Sequence, residues 1–514
     1  MVANSCKCIA ELRDKSQQFK QTGYIRVLDS ELAVVKSDRA ISKEIQDELR
    51  AGVKSLEDVP DHLKDWHPYQ EDKVLDLVHP SLFPVVWGLT RVLEEGTVPL
   101  DSCVAFTGKG AVIPSYTPQP PPLAQRWGPE PAPRLWGSFQ WLPAQVELAA
   151  DGGAKITSYI NNLHPVKHKA LYSTLERIVS ATIPLWDDTL SGFFDGRRFH
   201  LTHTGSGDYT FPLGLKYHVP EREGPRSVWD PIKEEYDDAG GDDDGDDDDD
   251  DWRWEEEFDD WQRENRVLVY REPQEYIPQA EFLAKRKSTS LRDDFPDGLQ
   301  VIFKLANIHL TPEAPTYEGG SWHVEGTLNE MICASAIYYY DQDNITDSHL
   351  AFRQALHAEE ITYIPEQNEH ESLERFLGVE QEGSAVQELG QVLTKEGRLL
   401  VFPNCLQHRV QPFELQDKTR PGHRKILAMF LVDPHRPILS SAHVPPQRRD
   451  WWADEVRKGG ALSVLPNEVV DMTISMVDDF PISWDQAVEI REQLMHERGG
   501  FTDNLTDYFE SVSG

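Results

Sequence analysis

Apolar and polar positions change rhythm along this chain. From about residue 5 to 98 the apolar positions recur mostly at helical intervals, as in Ser42–Leu49. His79 to Leu93 packs Leu82, Val85, Val86, Leu89 and Val92 closely and reads as another helix. Residues 1–110 are therefore expected to be mostly helical. A Pro-rich stretch follows, Pro114 to Pro133, and predicts an extended loop over 111–135. Phe139–Leu148 and Lys155–Ile160 flank the turn Asp151–Gly152–Gly153 and predict a β-hairpin. Asn161–Pro165 reads as a turn and His168–Ala181 as a helix, so 136–232 is taken as an α/β segment on the core. After residue 295 the rhythm turns to short strands: Gln300–Ile308 alternates, Cys333–Tyr340 is a compact apolar run, and Leu350–Phe352, Arg398–Phe402 and Lys425–Val432 follow. Such strands predict an antiparallel barrel or jelly roll over 290–440, interrupted by a charged insertion at 358–388. After Pro445 the pattern returns to helix, clearest at Trp484–Glu497, giving a helical extension over 441–514. The fold class expected is α+β.

Charge changes the picture in one place. The 514 residues carry a formal net charge of −37. Glu234 to Asp260 holds 18 acidic residues against the single Arg253, so about 17 of the 37 negative charges lie in one tract. Its low complexity predicts a disordered insertion over 233–262. A chain this acidic repels phosphate backbones, so nucleic acid is not expected as a partner. Five scattered cysteines, Cys6, Cys8, Cys103, Cys333 and Cys405, argue against a disulfide framework and for a reducing compartment. No apolar stretch reaches the ~20 residues a bilayer requires, and Met1 to Lys15 is no secretory signal. An intracellular protein, cytoplasmic or nuclear and not secreted, is expected.

The candidate chemistry lies in Gly319–Gly320–Ser321–Trp322–His323–Val324–Glu325–Gly326. Residues two apart on a strand point to one side, so His323 and Glu325 can share a metal ion. A distant second His would complete two His and one carboxylate, the set of non-haem iron(II) oxygenases. The spacing alone is weak: 18 His among 88 acidic residues supply about three such pairs by chance. A rival pair, His357 and Glu359, lies in a helical-looking stretch where such residues diverge. His408 is the candidate third ligand, with His423 and His435 as rivals.

Downstream context sharpens this. His323–Val324–Glu325, Ile337–Tyr338–Tyr339, Leu400–Val401–Phe402, His408–Arg409–Val410–Gln411–Pro412 and Arg424 follow in an order that resembles the double-stranded β-helix of the iron(II)/2-oxoglutarate oxygenases, in their prolyl-hydroxylase-like branch. The resemblance covers about residues 296 to 435; Glu in place of the commoner Asp departs from the pattern. It implies that His323, Glu325 and His408 ligate Fe(II), that Arg424 pairs with the distal carboxylate of 2-oxoglutarate with help from Tyr339, and that O₂ is consumed with release of succinate and CO₂. Arg420 is the runner-up for the carboxylate. Ser158–Pro165 and Trp322–Gly326 also resemble a largely fungal family classed as a domain of unknown function.

The resulting expectation is a hydroxylase acting on a small molecule or a protein, with Asn161, Asn162, His164 and Trp322 on the substrate side and 358–388 as a lid. Asn161 and Asn162 have an equal reading as turn residues that satisfy backbone groups. Two alternatives differ in kind: a non-catalytic binding protein on a degenerate barrel, and a cupin-type metal enzyme that does not use 2-oxoglutarate.

Overall fold

The computed structural model describes residues 2–28, 34–115, 137–191, 289–355, 386–459 and 465–511 apart from isolated positions, with short pieces at 217–220, 260–269 and within 371–384. Two compact units divide the chain. The first takes Met1–Gly207, Tyr276–His357 and Ser384–Val512; the second takes Asp208–Glu275, Ala358–Gly383 and Ser513–Gly514. In the second, Tyr217–His218 pairs antiparallel with Val267–Leu268, and the Arg266 guanidinium lies 4.1 Å from the Tyr217 ring centre. The acidic tract and most of the insertion at 358–388, with His357 and Glu359, lie outside the described residues.

The first unit mixes helices with antiparallel sheets. Its main helices are α1 (Val2–Thr22), α2 (Lys43–Glu57), α3 (Lys169–Leu190), α4 (Arg449–Lys458), α5 (Asn467–Ser475) and α6 (Trp484–Ser511). Its main strands are β1 (Ile25–Val27), β2 (Val34–Ser37), β3 (Asp65–Trp66), β4 (Val74–Val78), β5 (Ala144–Leu148), β6 (Ala154–Ile156), β7 (Leu299–Leu310), β8 (Ile332–Asp343), β9 (Ser348–Ala355), β10 (Val386–Thr394), β11 (Leu399–Pro403), β12 (Gln407–Val410) and β13 (Gly422–Val432). The large sheet runs β1-β2-β11-β8-β13-β7-β4-β3, with β5 joining β6 to β7; a small sheet runs β10-β9-β12.

The long strands are apolar on both faces because each face meets a different core. Leu427, Met429 and Leu431 of β13 pack with Leu175, Ile178 and Val179 of α3. Ala428, Phe430 and Val432 turn the other way, onto Phe352 of β9 and Phe402 of β11. One-sided amphipathic alternation is therefore absent, and Cys333–Tyr340 reads as a continuous run. Helix α2 starts at Ser42, whose hydroxyl accepts the Ile45 N–H, and its buried Gln46, Leu49 and Val53 form one stripe. Gln46 and Arg50 also donate to the Tyr340 carbonyl, tying α2 to β8.

The hairpin expected around Gly152 forms as β5 and β6. The helix expected from His168 runs on through Pro184 to Leu190. The helix expected at His79–Leu93 does not form. Phe83 takes a left-handed φ of 50° ahead of Pro84, and Val85–Val86 pairs with Phe139–Gln140. A residue before proline is disfavoured in the α region. The apolar density of that stretch reflects burial from several sides: Leu82, Phe83 and Val85 are all buried. Among the described residues no helix is long and apolar enough to cross a membrane.

Candidate metal centre

The segment carrying His323 is clamped onto β12. His323 N–H donates to the His408 carbonyl and His408 N–H donates back, at 3.2 and 2.9 Å. Two glycines permit this approach. Gly319 has φ 92°, and a Cβ there would stand 2.6 Å from the Val410 carbonyl oxygen; Gly326 has φ 72° against Glu330 and Ile332. Asn404, fully buried just past β11, accepts the Glu325 N–H at 2.9 Å and donates to the Glu325 carbonyl at 2.8 Å. It was not singled out from sequence; its place between the strand end and His408 was the only signal.

Three ligand atoms converge. His408 Nε2 lies 3.4 Å and His323 Nε2 3.9 Å from Glu325 Oε1. His323 Nδ1 hydrogen-bonds the Ser321 carbonyl at 2.8 Å. Since a carbonyl only accepts, Nδ1 carries the proton and Nε2 keeps its lone pair for a metal. His408 Nδ1 is buried without a partner; the Phe402 and Phe352 rings, 4.7 and 6.3 Å from its ring, hold it instead. Protein crowding, then His408, hold the His323 imidazole down to about 4. Burial alone pushes the Glu325 carboxyl up, but its hydrogen bond to His408 and the nearby His323 outweigh that and hold it down to about 2. A neutral imidazole and an ionised carboxylate at neutral pH are the states a divalent cation requires.

Among the described residues one other group has this composition, His67, Asp76 and His79. Its hydrogen bonding differs. His79 Nδ1 accepts the Ser81 N–H at 3.1 Å. The ring proton of neutral His79 is therefore on Nε2, the atom that faces Asp76 at 3.9 Å. With Nδ1 tied to Ser81, His79 cannot ligate through Nε2, whereas the unpartnered Nδ1 of His408 can take the ring proton when Nε2 binds a metal, so His323, Glu325 and His408 are the better candidate metal set.

Arg424 opens β13 on the face shared with Ile426 and Ala428 and is 1% exposed. Its Nη1 donates to Ser348 Oγ at 3.2 Å, while Nε and Nη2 are buried without a partner. The guanidinium lies 4.4 Å from the Phe413 ring centre and 5.6 Å from that of Tyr339. Burial pulls its pKa down. No described carboxylate pairs with it. Arg420, by contrast, is half exposed and paired with Asp343 at 2.6 Å. His423 pairs with Asp341, and His435 is bound to Asp433.

The expected substrate-side residues lie elsewhere. Arg353 and Arg409 alternate with Phe352 and His408 along β9 and β12, so they leave from the opposite face. Trp322 lies against these two guanidiniums, at 4.8 and 4.5 Å, on the side opposite His408. Asn161 donates to the Leu82 and Phe83 carbonyls, and Asn162 to those of His79 and Leu82. Asn162 and His164 line a separate cavity of about 230 Å³ to which none of His323, Glu325 and His408 contributes.

No curated protein matches this chain. Among solved structures, a bsmA homologue from Methylobium petroleophilum is similar at 12% identity, over 32% of this chain and 57% of that one, with a TM-score of 0.17. The Fe(II)/α-ketoglutarate-dependent dioxygenase TqaL is similar at 14% identity, over 34% and 61%, with a TM-score of 0.18. IDO from Bacillus thuringiensis is similar at 13% identity, over 32% and 66%, with a TM-score of 0.17. The chain thus spans less than two thirds of each of these three structures. The profile of the family described as "Protein of unknown function (DUF4246)" matches residues 4–455, a span that contains His323, Glu325, His408 and Arg424, and the chain belongs to that family.

Proposed function

We propose that this protein is an Fe(II)- and 2-oxoglutarate-dependent oxygenase built on a double-stranded β-helix. The order β11-β8-β13-β7 in the large sheet, β10-β9-β12 in the small one, and the His323 segment bridged onto β12 support the jelly-roll reading. So does the apolar core shared by Leu350 and Phe352 of the small sheet with Leu400, Phe402 and Phe430 of the large one. The observation that carries the function is the pairing of a two-His-one-carboxylate set with a buried guanidinium lacking an anion. A buried unpaired charge is costly, and a bound carboxylate satisfies it bidentately.

In this reading His323, Glu325 and His408 would hold the metal. Arg424 takes the distal carboxylate, Ser348 keeps the guanidinium aimed, and Tyr339 lies beside it. Phe352, Phe402 and Phe413 keep water from the site. The chemistry supplied by the bound group is oxidative decarboxylation of 2-oxoglutarate by O₂ to succinate and CO₂, coupled to hydroxylation of a C–H bond.

The test is anaerobic titration of the apo-protein with iron(II) and then 2-oxoglutarate, following the visible metal-to-ligand charge-transfer band. His323→Ala abolishes iron binding and the band. Arg424→Ala keeps iron but raises the 2-oxoglutarate needed at least tenfold, the loss of a charge-assisted pair worth about 1.5–3 kcal/mol. A wild-type chain that binds neither iron nor 2-oxoglutarate overturns the proposal.

A further inference from the structure

Helix α6 reaches the loop that carries Glu325, and we infer that Arg498 on that helix, acting through Glu330, is a positioning residue for this candidate ligand. The role rests on the metal reading proposed above and adds a means of regulating that site: the hold on the loop depends on how α6 is docked. Ala487, Arg491, Leu494 and Arg498 recur at helical spacing along α6 and form one stripe. Ala487, Arg491 and Leu494 are buried, and Leu494 enters the apolar core of Phe352, Phe402 and Phe430. Arg498 ends the stripe. It ion-pairs with Glu330, and its guanidinium lies 3.8 Å from the ring centre of Trp141, which stacks on Phe430 at 5.6 Å.

Glu330 is fully buried and closes the turn that follows Glu325. Its Oε2 accepts the Thr327 N–H at 2.8 Å, and its Oε1 accepts the Trp141 N–H and Arg498. Thr327 is two residues past Glu325. Between them Gly326 passes so close that a Cβ there would stand 2.5 Å from Glu330 Oε2. Glu330 therefore supports the loop just after the ligand, as Asn404 supports the backbone of the ligand itself. Three N–H donors meet the two oxygens of Glu330, but opposite charge comes from α6: among the described residues no cation other than Arg498 lies within 4 Å of it. Without Arg498 the buried carboxylate must turn toward solvent or take up a proton, and either change loosens its hold on the Thr327 amide.

The experiment follows hydrogen exchange of the 322–332 segment in the full-length protein, beside anaerobic equilibrium binding of iron(II). Wild type, Arg498→Met, Arg498→Lys and Arg491→Met are compared. Arg491 anchors α6 elsewhere, to Asp65 of β3, so Arg491→Met loosens the helix and leaves Glu330 paired. Arg498→Met should speed exchange at Thr327 and weaken iron(II) binding, each about tenfold or more. Arg498→Lys, which keeps the charge but not the planar stacking on Trp141, shows both changes in smaller measure and stands in if Arg498→Met does not fold. Arg491→Met leaves both at the wild-type value. Unchanged exchange at Thr327 in the Arg498 variants overturns the inference, as does faster exchange without weaker iron binding, or an equal effect of Arg491→Met. If the wild type binds no iron, the metal reading fails, and the exchange result alone decides whether Arg498 holds the loop.

Discussion

At the residue scale, the strongest statements concern buried charge. Arg424 is 1% exposed, its Nε and Nη2 are buried without a partner, and no described carboxylate pairs with it. Arg26, whose Nε is also buried without a partner, differs in having a carboxylate beside it: it donates to both the Asp188 carboxylate and the Asp188 carbonyl, and both side chains are under 10% exposed. Arg26→Ala leaves the buried Asp188 carboxyl without its partner, and should lower stability by about 3–5 kcal/mol. Urea unfolding of that variant, beside an Arg26→Met/Asp188→Leu double variant that recovers much of the loss, checks this. Asn404 holds the backbone of Glu325 from both sides. Asn404→Ala should weaken iron(II) binding about 10- to 100-fold with the fold intact, as loss of a supporting hydrogen bond does at metal sites. Unchanged iron affinity would assign Asn404 to the turn alone.

At the element scale, short connections decide where the candidate ligands point. Gly319 lets the His323 segment reach β12, and Gly319→Ala brings a Cβ against the Val410 carbonyl at a left-handed φ. The strain is about 1–3 kcal/mol. Loss of iron binding should exceed loss of melting temperature, because the His323–His408 bridge is the first contact displaced. Helix α3 has its own pH sensitivity. Asp187 accepts the Leu291 N–H at 2.8 Å, yet burial, only partly offset by that bond and by Arg292, pushes its carboxyl up to about 6. A folded-state pKa above the unfolded value of 3.8 gives a contribution fully present below pH 3.8 and lost as pH rises through about 6. The loss is at most about 3 kcal/mol. Comparing denaturant midpoints of wild type and Asp187→Asn from pH 4 to 7 tests it: the wild type alone should weaken over that window.

At the scale of the whole molecule, a net charge of −37 means self-repulsion, so stability should rise with salt as the Debye length shrinks from roughly 30 Å at 0.01 M to roughly 10 Å at 0.1 M. A denaturation midpoint independent of salt would show that the local ion pairs already neutralise the fold. The sequence by itself located the strands β7, β8, β9, β11 and β13, because long apolar runs bounded by turn residues leave little else to form, but not β1 to β4, which lie within the 1–110 stretch expected to be mostly helical. It also singled out the pair His323 and Glu325 by assuming strand alternation, whereas the structure holds them in a loop, His323 by a single bridge to His408 and Glu325 at a bend beside Asn404. It could not separate His79–Leu93 from a helix, because a segment buried from several sides carries no period. Only the tertiary structure brought His408 to Glu325 and set Trp322 on the opposite face of the small sheet. It alone gathered Asn162, His164 and Arg448 around a second cavity, and distinguished His323 from His79 by which backbone group meets each Nδ1. Those outcomes depend on contacts between residues far apart in the chain, and local pattern holds no record of which distant group will be met.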